Sequence, residues 1–377
     1  VTAPRVVVTG GHSAGHIEPA MNFADALRRL EPSAQITALG TVRGLDTTLI
    51  PARGYPLELI PPVPLPRKLS WALLQTPARL RNSVQAAGAV LDRLRAEVVV
   101  GFGGYVAVPA YLAARRRGLP IVVHEANARP GVANRLAALM TPHVFTAAPG
   151  VRLAHATAIG IPLRPAIAAL DRPALREAAR QRFGLRPGGP VLLVTGGSQG
   201  APPINAAVSG AAAALRAAGV QVLHITGRQD VVEAPAGDPK DLPYVVIPYV
   251  DEMQYAYAAA DFVICRSGAL TCAELAVVGL PAAYVPLPLR GGEQRLNAEP
   301  VVTAGGALIV DNAALDPAWI ETTLLPILTD PARIAAMSAR ASASRAPDAD
   351  VVLAQHVLTV IASRRRKAQM GSSQAAR

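Results

Sequence analysis

Three turns in this chain combine glycine with groups that can do chemistry. Residues 10–16 read Gly-Gly-His-Ser-Ala-Gly-His, residues 196–201 read Gly-Gly-Ser-Gln-Gly-Ala, and residues 265–274 read Cys-Arg-Ser-Gly-Ala-Leu-Thr-Cys-Ala-Glu. Each follows an apolar run and precedes a helix-like stretch. A glycine-rich turn opening a helix offers unpaired backbone N–H groups and the positive end of the helix dipole, which together bind phosphate. For the second turn the alternative is a plain strand-to-helix turn with Ser198 near the N-cap. Neither of the first two turns spells G-x-G-x-x-G, and no G-x-x-x-x-G-K-[ST] occurs, which disfavours a standard NAD site or P-loop.

His16 ends the first turn, where a helix starts. Facing the strand ends, its imidazole would have a near-neutral pKa suited to a general base, and the helix N-terminus would favour the neutral form. The other reading is a surface or capping histidine. His124-Glu-Ala-Asn127 follows another strand end and places Glu125 and Asn127 at the same rim, either as site residues or as caps of the next helix. Thr271 and Glu274 fit a T-x-x-E capping box. Glu274 can also accept hydrogen bonds from two ribose hydroxyls, and both roles hold if the cap uses one carboxylate oxygen.

The elements that position these groups are legible as alternating patterns. Apolar runs at 5–9, 35–39, 97–100, 120–124, 143–146, 191–195, 221–226, 244–247, 261–265 and 281–285 have the near-continuous hydrophobicity of strands buried on both faces of a parallel sheet. Between them lie helical stretches; Ala20, Phe23, Ala24, Leu27 and Leu30 form one stripe. The fold class is α/β. The strand–glycine turn–helix opening occurs at residue 5 and again at residue 191 in a chain of 377 residues, so two doubly wound domains are expected. The spans are 1–162, 163–340, and a last segment at 341–377 whose helix ends near Ser363 before a basic, disordered tail.

Hydrophobic residues make up 51% of the chain, which excludes disorder, and a formal charge of +11 leaves nucleic acid, lipid surfaces or phosphorylated small molecules as partners. The basic residues are scattered and aromatics are only 4%, so nucleic acid is not expected. Cys265 and Cys272 belong to no metal or redox motif and read as reduced structural thiols. No signal-peptide pattern opens the sequence, and every long apolar stretch is broken by Gly, Pro or polar residues, so no transmembrane span is expected. At 61–81, Leu65, Leu69, Trp71, Leu73 and Leu74 stand beside Arg67, Lys68, Arg79 and Arg81. This is either an apolar wedge for an anionic membrane surface or a proline-rich loop leading to a packed helix.

Taken together, the turn ending Gly15-His16, Gly101-Phe-Gly-Gly-Tyr105, His124-Glu-Ala-Asn127, the 196–201 turn, the 265–271 turn and Glu293-Gln-Arg-Leu-Asn297 resemble the MurG family of glycosyltransferases, in order and across nearly the whole chain. The sequences His-Ile-Glu-Pro-Ala and Pro-Pro-Val-Pro-Leu-Pro-Arg resemble its actinobacterial members. The resemblance implies a GT-B fold, two Rossmann-like domains facing across a cleft, with acceptor binding in the first and donor binding in the second. It implies inverting transfer of N-acetylglucosamine from UDP-GlcNAc to the 4-hydroxyl of a lipid I-type acceptor, without a cofactor or bound metal, by a peripheral protein of the cytoplasmic membrane face. By position it assigns Gly197, Ser198, Gln199 and Arg164 to the pyrophosphate and Tyr249 and Val250 to the uracil. Arg266, Ala269, Leu270 and Thr271 fall in the donor turn, Glu274 on the ribose, and Glu293 and Gln294 by the sugar hydroxyls. Ser13, Ala14 and Gly15 fall on the acceptor side and Asn127 reaches the shared cleft, with His16 as base and Tyr105 and Glu125 as its neighbours.

Four positions depart from the family pattern. His12 replaces a glycine in the first turn, where positive φ is expected; Pro202 stands where Arg is usual; Ala126 and Glu293 each replace a common Gln. A paralogue using UDP-GlcNAc on another acceptor, and a catalytically impaired cell-wall scaffold, are therefore alternative readings.

Overall fold

A strand that is apolar at every position needs cover on both faces, and this requirement shapes both halves of the molecule. The computed structural model describes residues 2–63, 72–230, 232–238, 240–288, 291–346 and 348–375. Two units result, Val1–Leu163 with Pro347–Arg377, and Arg164–Ala346. In the first, seven strands occur in sequence among the described residues: β1 (Arg5–Thr9), β2 (Gln35–Gly40), β3 (Leu57–Leu59), β4 (Val98–Gly101), β5 (Ile121–Glu125), β6 (Val144–Thr146) and β7 (Ala156–Ala158). In the second the described residues form six: β8 (Val191–Thr195), β9 (Gln221–Ile225), β10 (Tyr244–Ile247), β11 (Phe262–Cys265), β12 (Ala282–Tyr284) and β13 (Ala307–Ile309).

All pairings are parallel, in the orders β3-β2-β1-β4-β5-β6-β7 and β10-β9-β8-β11-β12-β13. Strand order therefore reverses between β1 and β4, and between β8 and β11, the places where doubly wound sheets bind ligands. Successive side chains go to opposite faces. Val6 and Val8 pack with Phe23, Leu27, Leu353, Val357 and Ile361, whereas Val7 packs with Val84, Leu91 and Tyr111. Leu193 and Leu192 divide the second core in the same way.

The ten expected strands are present with ends shifted by at most two residues, and β3, β7 and β13 are additional. Each of these is a three-residue edge strand that is at least partly exposed, whereas β6 and β12, equally short, are buried throughout and so read as apolar runs. On the first helix, Ala14–Leu30, the stripe is buried except Leu30, which reaches solvent at the last turn.

The expected disordered tail is corrected, because helix runs from Ala349 to Ala375. Arg365 bonds both oxygens of Glu97 at 2.7 and 2.8 Å, Arg364 donates to the Glu97 carbonyl at 2.9 Å, and Arg29 donates to Asp350 at 2.7 Å. These contacts hold the basic stretch to the first sheet. Residues 64–71, with Leu65, Arg67, Lys68, Leu69 and Trp71 of the wedge, lie outside the described residues, as do the side chains of Leu73 and Leu74. No described helix is long and apolar enough to cross a membrane.

Candidate active site

At the β8/β11 reversal the two following turns converge on a cavity of ≈ 170 Å³. Its lining includes Gly197 and Ser198 after β8, Tyr249 and Val250 after β10, and Arg266, Thr271 and Glu274 after β11. Seven residues singled out from sequence thus meet in one place. Thr195, Ile225, Met253, Tyr257 and Cys265 complete the wall. The turn folds as it does because Gly197 and Gly200 adopt φ of +89° and +88°, where an L side chain is strained. A Cβ on Gly200 would lie 2.5 Å from the Thr226 carbonyl oxygen.

Glu274 is buried and accepts a 2.7 Å hydrogen bond from the Tyr257 hydroxyl. Burial first, then the adjacent carboxylate, push the Tyr257 phenol well above its ordinary range, so it stays protonated as a donor. Arg266 donates to the Val285 carbonyl at 3.0 Å and to Asn312 at 2.8 Å, which fixes its guanidinium against the wall. Cys265 and Cys272 are free and buried; burial raises both thiols, Cys272 to about 12.

The capping box is corrected. The helix Ala269–Val278 starts after N-cap Gly268, so Thr271 lies within its first turn and no side chain caps it. Glu274 is one turn too deep for that role, because the T-x-x-E pattern does not fix where the helix begins. Gln199, Ala269, Leu270, Glu293, Gln294 and Arg164 are not among the lining residues. Gln294 accepts from the Leu287 N–H at 2.9 Å, Glu293 opens the helix Glu293–Thr303, and Arg164 donates to the Asp251 carbonyl at 3.3 Å.

The β1/β4 reversal carries the other group. Ser13 is the N-cap of Ala14–Leu30, and His16 lies in that first turn, half-buried. Ser13 Oγ and His16 Nδ1 are 3.0 Å apart. With Nδ1–H donating to Ser13, Nε2 keeps a lone pair. Burial lowers the His16 pKa, partly offset by Glu125 and Asp46, with His12 lowering it further. Burial, rather than the helix end alone, therefore favours the neutral imidazole. Gly103, at φ +89°, leaves room for the ring, since a Cβ there would stand 3.4 Å from Nε2.

Glu125 is buried and spends its carboxylate locally. Oε1 accepts from the Asn127 backbone at 2.9 Å and side chain at 3.2 Å; Oε2 accepts from Gly131 N at 2.9 Å and Asn134 Nδ2 at 3.0 Å. Such a carboxylate organises a loop and biases His16 electrostatically. Ala126 is buried between them, while Gly15 and Tyr105 are exposed and Ala14 is half-exposed.

Asp46 was not legible as a site residue. Fully buried, it accepts from His12 N at 2.6 Å and Thr41 N at 2.9 Å, and Leu45 N donates to the His12 carbonyl at 3.3 Å. These bonds clamp His12 at φ +77°, the positive φ expected from the family glycine. Pro202 occupies the first position of the helix Pro202–Gly210, where its missing N–H disrupts nothing. Asn134, joining Glu125 to the Tyr111 hydroxyl, and Tyr257 were also missed; only the fold brings them to their partners. Among the described residues, no three His, Cys, Asp or Glu side chains are grouped to hold a metal ion.

Two parallel-sheet units with a phosphate-type turn at each reversal define a class of nucleotide-sugar enzymes, and the comparisons place the chain within it. Residues 6–146 match the glycosyltransferase family 28 N-terminal domain, and residues 191–353 its C-terminal domain. The chain is 54% identical over 371 residues, 97% of each chain, to the UDP-N-acetylglucosamine--N-acetylmuramyl-(pentapeptide) pyrophosphoryl-undecaprenol N-acetylglucosamine transferase of Thermobifida fusca (strain YX). It is 56% identical to the like-named protein of Acidothermus cellulolyticus over 365 residues, 96% of this chain and 99% of that one. The crystal structure of Acinetobacter baumannii MurG matches with a TM-score of 0.77 at 28% identity, covering 96% and 99% of the two chains. The chain belongs to the MurG family of glycosyltransferases.

Proposed function

We propose that this protein transfers N-acetylglucosamine from UDP-GlcNAc to the 4-hydroxyl of lipid I, the lipid-linked N-acetylmuramyl-pentapeptide, giving lipid II with inversion at the anomeric carbon. The observation that carries this reading is the cavity lined by Ser198, Tyr249, Val250, Arg266 and Glu274. It combines amides for phosphate, an aromatic and backbone groups for a base, and a carboxylate for ribose. The relatives are named for this transfer and match over nearly their full length.

In this mechanism the 4-hydroxyl oxygen forms a bond to the anomeric carbon as the bond to UDP breaks. The hydroxyl proton passes to His16 Nε2, with Ser13 holding the tautomer and Glu125 and Asp46 supporting the imidazolium. Negative charge growing on the diphosphate is met by the Ser198 and Gln199 N–H groups, unpaired among the described residues, and by Arg266. Arg164 adds a cationic partner for the pyrophosphate, Ala269, Leu270 and Thr271 belong to the donor turn, and Glu293 and Gln294 attend the sugar hydroxyls. Asn127 and Tyr105 attend the acceptor. A lipid-linked substrate puts the protein at the cytoplasmic membrane face as a peripheral enzyme, with anionic lipid as a partner.

His12 and Pro202 fit their turns without disrupting them, and identity spans both domains, so the paralogue and scaffold alternatives are not favoured. Turnover of a short-chain lipid I analogue with UDP-GlcNAc is the test. A β-1,4-linked disaccharide product is expected; normal UDP binding with no such product would refute the reading.

A further inference from the structure

Beside the donor cavity stands a cation that neither the sequence motifs nor the cavity wall includes. Arg228 lies on the loop after β9, exposed, with its guanidinium carbon 3.9 Å from the centroid of the Tyr249 ring. Its backbone N–H donates to the Ser198 carbonyl at 3.1 Å. It therefore touches two residues of the cavity wall at once, one from the glycine turn and one from the aromatic strand end.

The loop that carries Arg228 is locked to the glycine turn. A Cβ on Gly227, at φ +94°, would meet Gly200 N at 2.1 Å, and a Cβ on Gly200 would meet Asp230 Oδ2 at 2.6 Å. Asn205 donates to Asp230 Oδ2 at 3.0 Å and to the Thr226 carbonyl at 3.1 Å, and its own Oδ1 is 3.0 Å from His224 Nε2. The His224 Nδ1 is 2.9 Å from the Tyr244 hydroxyl. This buried chain fixes the loop from beneath, so Arg228 is presented from a rigid base.

Stacking on an aromatic face occupies the plane of a guanidinium and leaves its edge N–H donors available. No hydrogen bond or ion pair to the Arg228 guanidinium occurs among the described residues. Arg266, the cation in the wall itself, already spends Nη1 on Val285 and Asn312. Phosphate oxygens are the ligands that a planar, prepositioned fork of donors matches best.

We propose that Arg228 is a diphosphate-binding residue of the donor site: stacked on Tyr249, it donates to phosphate oxygens of the nucleotide held by the Ser198 turn. This rests on the UDP-sugar reading of that cavity and adds a residue to it. During transfer the same contact strengthens as charge accumulates on the departing diphosphate, so Arg228 acts on donor affinity and on turnover together.

The test is calorimetric binding of uridine, UMP and UDP to the full chain and to the Arg228→Ala and Arg228→Gln variants, with melting temperatures measured alongside. UDP affinity is expected to fall about tenfold or more in both variants, the scale of one charge-assisted hydrogen bond, with uridine affinity unchanged. The salt dependence of UDP binding should weaken in parallel. An equal loss for uridine and UDP would assign Arg228 to packing on Tyr249 and overturn the proposal, and so would unchanged UDP affinity. If the unsubstituted protein binds none of the three, the UDP-sugar reading falls and this inference with it.

Discussion

The two glycine turns begin with the same Val-Thr-Gly-Gly letters and solve the same backbone problem in opposite ways. In the second, glycines occupy the positive-φ positions, and the freed space is filled by the 226–230 loop, leaving a cavity on the other side. In the first, a histidine sits at φ +77° and is held there by Asp46, 34 residues away, and by Leu45. One turn lines a cavity with Gly197 and Ser198, and the other sets two imidazoles within electrostatic reach of Asp46 and Glu125. What divides them is not the motif but the distant residues that each turn meets.

The sharpest way to test that division is to remove the chemistry from the first turn alone. His16→Ala should lower kcat by about 10²–10⁴-fold, the range of a lost general base, with UDP affinity unchanged. Comparable losses in both would place His16 in the donor site and erase the contrast.

Acid should reveal what the two units share. His124 and His224 are fully buried, each lowered by burial to about 4 from 6.5. Between those values the unfolded chain binds more protons than the folded one, so stability is complete above pH 6.5 and is lost as pH falls toward 4. Each histidine contributes about 3 kcal/mol to that loss. Thermal unfolding across this range should show it, and His224→Gln should flatten the slope; an unchanged slope would remove His224 from the account.

A smaller effect belongs to Glu274. Glu274→Gln retains an acceptor for Tyr257 but loses the charge, and should weaken UDP binding about tenfold. The preference for uridine over 2′-deoxyuridine should shrink with it, because a neutral amide bonds a hydroxyl more weakly than a carboxylate does, whereas an undiminished preference would mean that the ribose lies elsewhere. Smallest is His12→Gly, which relieves a left-handed residue and should stabilise the fold by about 1 kcal/mol in denaturant titrations. Destabilisation would show that the His12 side chain makes a favourable contact outweighing its strain.

The sequence pattern reached the sheets because burial on both faces writes itself into every residue of a central strand. It did not reach β3, β7 and β13, which are edge strands of their sheets and are at least partly exposed. Candidate site residues were legible where a turn is local, as with Ser198, His16 and the Glu125–Asn127 bend. They were not legible where a partner comes from another strand end, as with Asp46, Asn134, Tyr257 and Arg228. The Thr271–Glu274 pattern misled for a related reason: a capping box is recognised by spacing, and spacing alone does not set the helix phase.

The chain order has a consequence during synthesis. The apolar face of Ala14–Leu30 receives Leu353, Val357 and Ile361 from Ala349–Ala375, after all of Arg164–Ala346 has been made. On a ribosome the inserted unit emerges whole while its host still lacks that cover. Nascent protein must therefore shield an unfinished greasy surface for the time taken to translate the entire insertion, and that interval is where chaperone dependence would concentrate.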